Sequence, residues 1–272
     1  MTDLSHPGPD PLATALGLAR NALGSSPAGL LTDLDGTLAP IVDDPDRAQP
    51  LPVAVEALTA LSQRLALVAV ISGRAPDDAR LRLGTDRLLI IGNHGLERLE
   101  PGAERAALSP ALAEAAAAIR SVLTRVPPLD GVWIDDKGPS ATIHYRSAPD
   151  PEGTAARIVA ALGDVAQDGL VLRAGRMSWE LRAAGAADKG TAVTRLIARH
   201  ALRGLVLLGD DVTDLDMFRA ASEARARGEL SAAILAVAGG DEVPSTVTAA
   251  ADAVLPDPHA VADLLTSLAE RS

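Results

Sequence analysis

The chain contains no cysteine. Disulfide staples, thiolate catalysis and zinc–thiolate sites are therefore excluded. Aromatic residues are nearly as scarce, with two Trp, one Tyr and one Phe among 272 residues. The core must be packed with Leu, Val, Ile and Ala, and a hydrophobic content of 47% is enough to build one. The same scarcity argues against a surface on which nucleic-acid bases would stack. Long basic runs are also missing, and 25 Lys and Arg against 36 Asp and Glu give a formal charge of −11. Nothing here would track a phosphate backbone, so no nucleic acid is expected as a partner. No apolar stretch approaches the roughly 18–20 residues that span a bilayer. The opening, Met1 to Pro11, has neither the basic start nor the apolar centre of a secretory signal. The expectation is a cytoplasmic monomer with no membrane association.

What is present is a series of short apolar runs, each ending abruptly in polar residues. They are Gly29 to Thr32 before Asp33, Leu65 to Ile71 before Ser72, Leu88 to Ile91 before Gly92-Asn93-His94, Leu205 to Leu208 before Gly209-Asp210, and Ala233 to Ala238 before Gly239-Gly240. Runs of this length suit strands buried on both faces of a parallel sheet. Helical patterns lie between them, as in Val53 to Arg64 and Lys189 to His200. Alternation of this kind predicts an α/β fold with a doubly wound, Rossmann-like parallel sheet. Ligands of such sheets bind beyond the carboxyl ends of the strands, where every one of these polar clusters falls.

The middle of the chain reads differently. Pro110 to Leu123 is an alanine-rich helix, and Val132 to Tyr145 and Leu170 to Leu181 read as paired strands separated by a helix from Glu152 to Leu162. This predicts an α+β cap (lid) domain at 103–185, inserted between the two halves of a core domain at 28–102 and 186–272. Residues 1–27 read as a disordered lead to Pro11 followed by a short helix, Leu12 to Leu23. The end, Ala251 to Leu268, reads as a last strand and a helix opened by Asp257-Pro258.

The sharpest motif is Asp33-Leu34-Asp35-Gly36-Thr37. Two carboxylates two apart at a buried strand end would repel one another unless a cation intervenes. Magnesium suits such a place, since it takes one or two carboxylates together with water and phosphate oxygens. Asp33 can attack phosphorus, and Asp35 can protonate the leaving oxygen and later activate water. Gly36 permits the tight turn. At Ile71-Ser72-Gly73-Arg74, the Ser72 hydroxyl and nearby N–H groups could hold a phosphate. Lys189, at a helix start, can neutralise nucleophile and phosphate. In Gly209-Asp210-Asp211-Val212-Thr213-Asp214, Asp210 is the natural third metal ligand, and Asp214 ligates directly or from behind it. Taken singly, an acidic loop, a Ser-Gly-Arg turn and one lysine are each more often plain surface features.

In this order and at these strand ends, the four clusters resemble the haloacid dehalogenase superfamily of aspartyl phosphatases. Leu34 to Val42 with Asp44-Pro45 and Ala48, and the loop Gly92-Asn93-His94-Gly95-Leu96-Glu97, are similar to the trehalose-6-phosphate phosphatases within it. So are Lys137, Ser140, His144-Tyr145-Arg146, Glu180-Leu181-Arg182, Lys189-Gly190, and Gly209-Asp210-Asp211 through Met217-Phe218. The likeness runs from about Gly29 onward.

That resemblance implies Asp33 as nucleophile, Asp35 as acid and base, and Mg2+ on Asp33, the Asp35 carbonyl and Asp210. Ser72 and Lys189 would hold phosphate. Gly36, Thr37, Gly73, Arg74, Asn93, His94 and Asp211 join the substrate-binding set, and cap residues Lys137, Ser140, His144, Arg146 and Glu180 would meet the disaccharide. The chain departs from the family at Asp135, where glutamate is usual, and at Ala183, where proline is usual. The implied activity is hydrolysis of trehalose 6-phosphate in trehalose biosynthesis. Alternatives are a phosphatase of sucrose, mannosylglycerate or glucosylglycerol phosphate, and a catalytically silent sugar-phosphate sensor.

Overall fold

A computed structural model describes residues 10–42, 44, 47–107, 110–185, 187–238 and 243–270. The lead up to Pro9, Pro45 of the opening motif and the Gly239-Gly240 strand end lie outside the described residues. The chain divides into two compact units, 1–106 with 187–272, and 107–186.

The first unit holds a seven-stranded sheet in the order β11-β10-β9-β1-β2-β3-β4. Its strands are β1 (Ala28–Thr32), β2 (Leu67–Ile71), β3 (Leu89–Gly92), β4 (Glu97–Leu99), β9 (Gly204–Gly209), β10 (Ser231–Val237) and β11 (Ala253–Leu255). All neighbours run parallel except β3 and β4. The central runs are buried along their whole length because both faces are covered. Leu30, Val68, Val70 and Leu208 meet α1 (Pro11–Leu23), α2 (Pro52–Ser62), α3 (Pro76–Leu83) and α9 (Pro258–Ala269). Leu31, Ala69, Ile71 and Leu207 meet α6 (Lys189–Arg199), α7 (Leu215–Ala226) and α8 (Ser245–Ala249).

Local chemistry fixes several of these helix starts. Proline opens α1, α2, α3 and α9, where its missing N–H costs nothing. The side chains of Asp10, Asp188 and Asp257 accept from the first-turn N–H groups of α1, α6 and α9. Helix α1 therefore begins at Pro11, one residue before its apolar pattern.

Strand β4 adds an antiparallel edge to the expected parallel sheet. Asn93 and His94 both adopt positive φ, 49° and 57°. The chain reverses there, and Glu97 to Leu99 returns antiparallel along β3, pairing Gly92 with Glu97 and Ile90 with Leu99. Glu97 thus opens an edge strand and is not a loop residue. Antiparallel edges on parallel sheets are common.

The second unit holds α4 (Pro110–Leu123), α5 (Pro151–Leu162) and a four-stranded antiparallel sheet ordered β5-β6-β8-β7. Its strands are β5 (Trp133–Asp136), β6 (Ser140–His144), β7 (Leu170–Gly175) and β8 (Ser178–Ala183). Each expected strand region folds as an antiparallel hairpin, β5 with β6 and β7 with β8, and the pairing of β6 with β8 joins the two hairpins. Ile119, Val122, Ala141, Ile143, Ile158, Leu162 and Leu181 form its core, so one sheet face is covered.

Candidate active site

In the sheet order, β1 lies between β9 and β2. Asp33 follows β1, Asp210 follows β9 and Ser72 follows β2. Strand pairing carries past the strand ends: Asp33 N–H donates to the Leu208 carbonyl (3.0 Å), and Ser72 N–H to the Ile91 carbonyl (2.8 Å). Adjacent parallel strands are about 4.8 Å apart, so the topology brings together residues far apart in sequence.

Asp33, Asp210 and Asp214 are all buried, and each offers a carboxylate oxygen within 4.8 Å of the others. One buried cation stands among them. Lys189 Nζ lies 3.0 Å from Asp33 Oδ1 and 2.7 Å from Asp214 Oδ1. Lysine at a helix N-terminus opposes the helix dipole, so its position serves the carboxylates and not α6.

Burial and the Asp214 charge raise the Asp33 carboxyl well above its ordinary value, with Lys189 opposing them. Burial, followed by the Asp214 charge, pushes Asp210 up to about 7. For Lys189, burial alone would favour the neutral amine, but Asp214 and Asp33 outweigh it and raise its pKa. The site is thus short of positive charge. Carboxylate oxygens so arranged suit a hard divalent cation, and they are the candidates to hold one.

A pH dependence follows. Native Asp210 holds its proton up to about pH 7, whereas an unfolded aspartate releases it near pH 4. Between these values the native state binds more protons, so stability falls as pH rises. Asp33 acts in the same direction. In chelator, stability should drop between pH 5 and 7.5 by about 2–3 kcal/mol for Asp210 alone, read as a lower thermal midpoint. Asp210→Asn should flatten the slope, and an unchanged slope would contradict this origin.

The remaining residues are placed as follows. Gly36 has φ 80°, and a Cβ there would run into the Asp210 carboxylate. The buried Thr37 hydroxyl donates to Asp210 Oδ1 at 2.8 Å, which orients that carboxylate. Of the Asp214 oxygens, Oδ2 accepts from the N–H groups of Asp210 (2.9 Å) and Asp211 (3.1 Å), and Oδ1 from Lys189. The Asp211 side chain caps the short turn Val212–Asp214.

Arg74 is turned to Asp35. Its Nε and Nη2 hold the two Asp35 oxygens at 2.7 and 2.8 Å, and Nη1 reaches Asp78 at 3.0 Å. Asp78 is also held by Arg82, and neither residue stood out in the sequence. Ser72 Oγ accepts from Arg74 N–H at 3.1 Å. Gly73 lies so close to the His94 ring that a Cβ would overlap it. Asn93 donates its side-chain amide to Glu97.

In the second unit, Ser140, His144 and Glu180 share the sheet face opposite the core. Lys137 follows β5, and its Nζ lies 3.5 Å from Asp135. Arg146 is exposed beyond β6. The same face carries two residues absent from the sequence-derived site: Trp133, opposite His144, and Arg182, whose guanidinium is buried beside Glu180 at 3.7 Å. Spacing by two was the available signal, from Glu180 for Arg182 and from Asp135 for Trp133.

Comparison with known proteins bears on this geometry. Residues 31–252 match the family model described as trehalose-phosphatase. The trehalose-phosphate phosphatase of Mycolicibacterium paratuberculosis is 38% identical over 224 residues, covering 78% of this chain and 56% of that protein. The chain thus spans little more than half the length of such relatives. The C-terminal domain of Candida albicans trehalose-6-phosphate phosphatase superimposes with a TM-score of 0.73 at 26% identity, covering 95% of this chain and 97% of that one. The Aspergillus fumigatus trehalose-6-phosphate phosphatase gives 0.66 at 25% identity, covering 96% and 98%.

Proposed function

Because the chain belongs to the trehalose-phosphatase family, we propose that it hydrolyses trehalose 6-phosphate to trehalose and phosphate through an aspartyl-phosphate on Asp33. One observation carries the reading: a nucleophile-competent carboxylate, Asp33, sits at a strand end beside Lys189 and within reach of Asp210 and Asp214.

In the first displacement, Asp33 attacks phosphorus and the bond from phosphorus to the sugar oxygen breaks. Asp35 gives that oxygen a proton. In the second, Asp35 takes a proton from water as the water attacks the phosphoryl group, and Asp33 is released. Lys189 would balance charge on Asp33 and the phosphoryl oxygens, while the Ser72 hydroxyl would donate to one of them. Arg74 orients the Asp35 side chain through its contacts to both oxygens, one of which must be released to carry the proton that Asp35 gives. Positioning and charge neutralisation account for most catalysis of phosphoryl transfer.

Magnesium fits the donor set. Three buried carboxylates share a single lysine, and the raised Asp33 and Asp210 pKa values mark missing positive charge. Asp33, Asp210 and the Asp35 carbonyl would hold the ion, with Asp214 behind them. When bound, it would neutralise charge on the phosphoryl group being transferred. The second unit, 107–186, is proposed as the cap that selects the sugar.

The test is phosphate release from a panel of sugar phosphates, with magnesium and with chelator. The expected result is magnesium-dependent release from trehalose 6-phosphate and little from sucrose, mannosylglycerate or glucosylglycerol phosphate. Release from another of these alone would keep the chemistry and change the substrate. No release from any would overturn the proposal.

A further inference from the structure

Trp133 is 56% exposed in a chain with only two tryptophans. An indole left in water forgoes the burial its large surface offers, yet this one is held in place. The His144 ring lies parallel to it, with centroids 3.9 Å apart and an interplanar angle of 11°. Strand pairing sets these two residues directly opposite. One face of the indole is therefore backed by imidazole, which burial keeps toward its neutral form.

The surroundings are polar in a regular way. Two residues along β5 from Trp133, a row crosses the sheet through register partners Asp135, Thr142, Glu180 and Arg173. All four lie on the face opposite the core, and all are at least partly exposed. Carboxylate, hydroxyl, carboxylate and guanidinium thus form a line of acceptors and donors about 7 Å from the stack. A flat apolar platform bordered by such a line suits a ring with C–H groups on one face and hydroxyls at its edge. The electron-rich face of an aromatic ring attracts those C–H groups, and the row can pair with the hydroxyls.

We propose that Trp133 is the stacking platform for a pyranose ring of the substrate and a determinant of sugar selectivity. This deepens the reading of the chain as a sugar-phosphate phosphatase and rests on it. Asp135, two residues along the same edge strand, then pairs with a hydroxyl at the ring edge, and His144 acts as the positioning residue that holds the indole flat.

The test has two readouts. In a Trp179→Phe background Trp133 is the sole tryptophan, so its fluorescence is titrated with trehalose, which carries no phosphate. A saturable change is expected, and its absence overturns the proposal whether or not the phosphatase activity is confirmed. In the second, the ratio of kcat/KM for the sugar phosphate that is turned over to that for acetyl phosphate should fall about tenfold in Trp133→Leu. The fall should lie in KM for the sugar, with most of it recovered in Trp133→Phe. An unchanged ratio overturns the platform, as does an equal loss on both substrates, which would mark a structural role.

Discussion

Asp33→Asn should abolish turnover of the sugar phosphate, by at least about 10⁴-fold, as expected when a covalent nucleophile is removed. The amide is nearly isosteric with the carboxylate but cannot form the acyl-phosphate. The same substitution should not weaken the fold. Asp33 is one of three buried carboxylates sharing one lysine, and burial holds its pKa well above the ordinary value. At pH 7.5 in chelator, removing that charge relieves repulsion with Asp214 and Asp210, while Lys189 keeps its contact with Asp214 at 2.7 Å. The thermal midpoint should hold steady or rise. Magnesium should bind more weakly and stabilise the variant less than the parent. Only a nucleophile that is also a ligand predicts this combination of dead enzyme, intact fold and weakened metal binding. A carboxylate that merely braced the strand end would lower the midpoint, and appreciable residual hydrolysis would move the nucleophile elsewhere.

The core was legible because its strands are buried on both faces. Leu30-Leu31-Thr32 and Leu205 to Leu208 contain no polar alternation to confuse with helix, and each stops where the polar chemistry starts. Strand β4 was not legible. Glu97-Arg98-Leu99 has no apolar run, and its pairing depends on a reversal at Asn93 and His94, residue types that tolerate positive φ without demanding it. The site divides along the same line. Which residues end the strands could be read, but where their bonds go could not. Thr37 and Asp210 are 173 residues apart, and Arg74 and Asp35 are 39 apart. Thr37 and Arg74, substrate candidates by motif position, make contact here with the carboxylates of Asp210 and Asp35. In the second unit the limit is register. His144 and Glu180 are hydrogen-bonding residues that a sugar calls for, but Trp133 joins their face only because β5 pairs with β6 in one particular alignment. A slip of one residue would have placed Ile134 there.

Lys189→Met tests the electrostatic balance directly. The thioether roughly fills the space of the lysine stem while removing the charge. Three buried carboxylates then lack a counter-ion, and breaking a buried pair from one side typically costs about 3–5 kcal/mol. For a chain of this size that corresponds to a midpoint lower by on the order of 10 °C. The loss should depend on pH. Asp33 and Asp210 have raised native pKa values and take up protons as pH falls toward 5, which removes the charge the lysine had balanced. The gap between parent and variant in chelator should therefore be widest near pH 7.5 and narrow at pH 5. Magnesium, supplied in excess, should close part of the gap at pH 7.5 by restoring positive charge. Turnover should nevertheless stay low, by about 10²–10³-fold, because an ammonium facing the transferred phosphoryl group is gone. A gap below about 1 kcal/mol, or one that is the same at both pH values, would show that Lys189 packs in the site without balancing its charge.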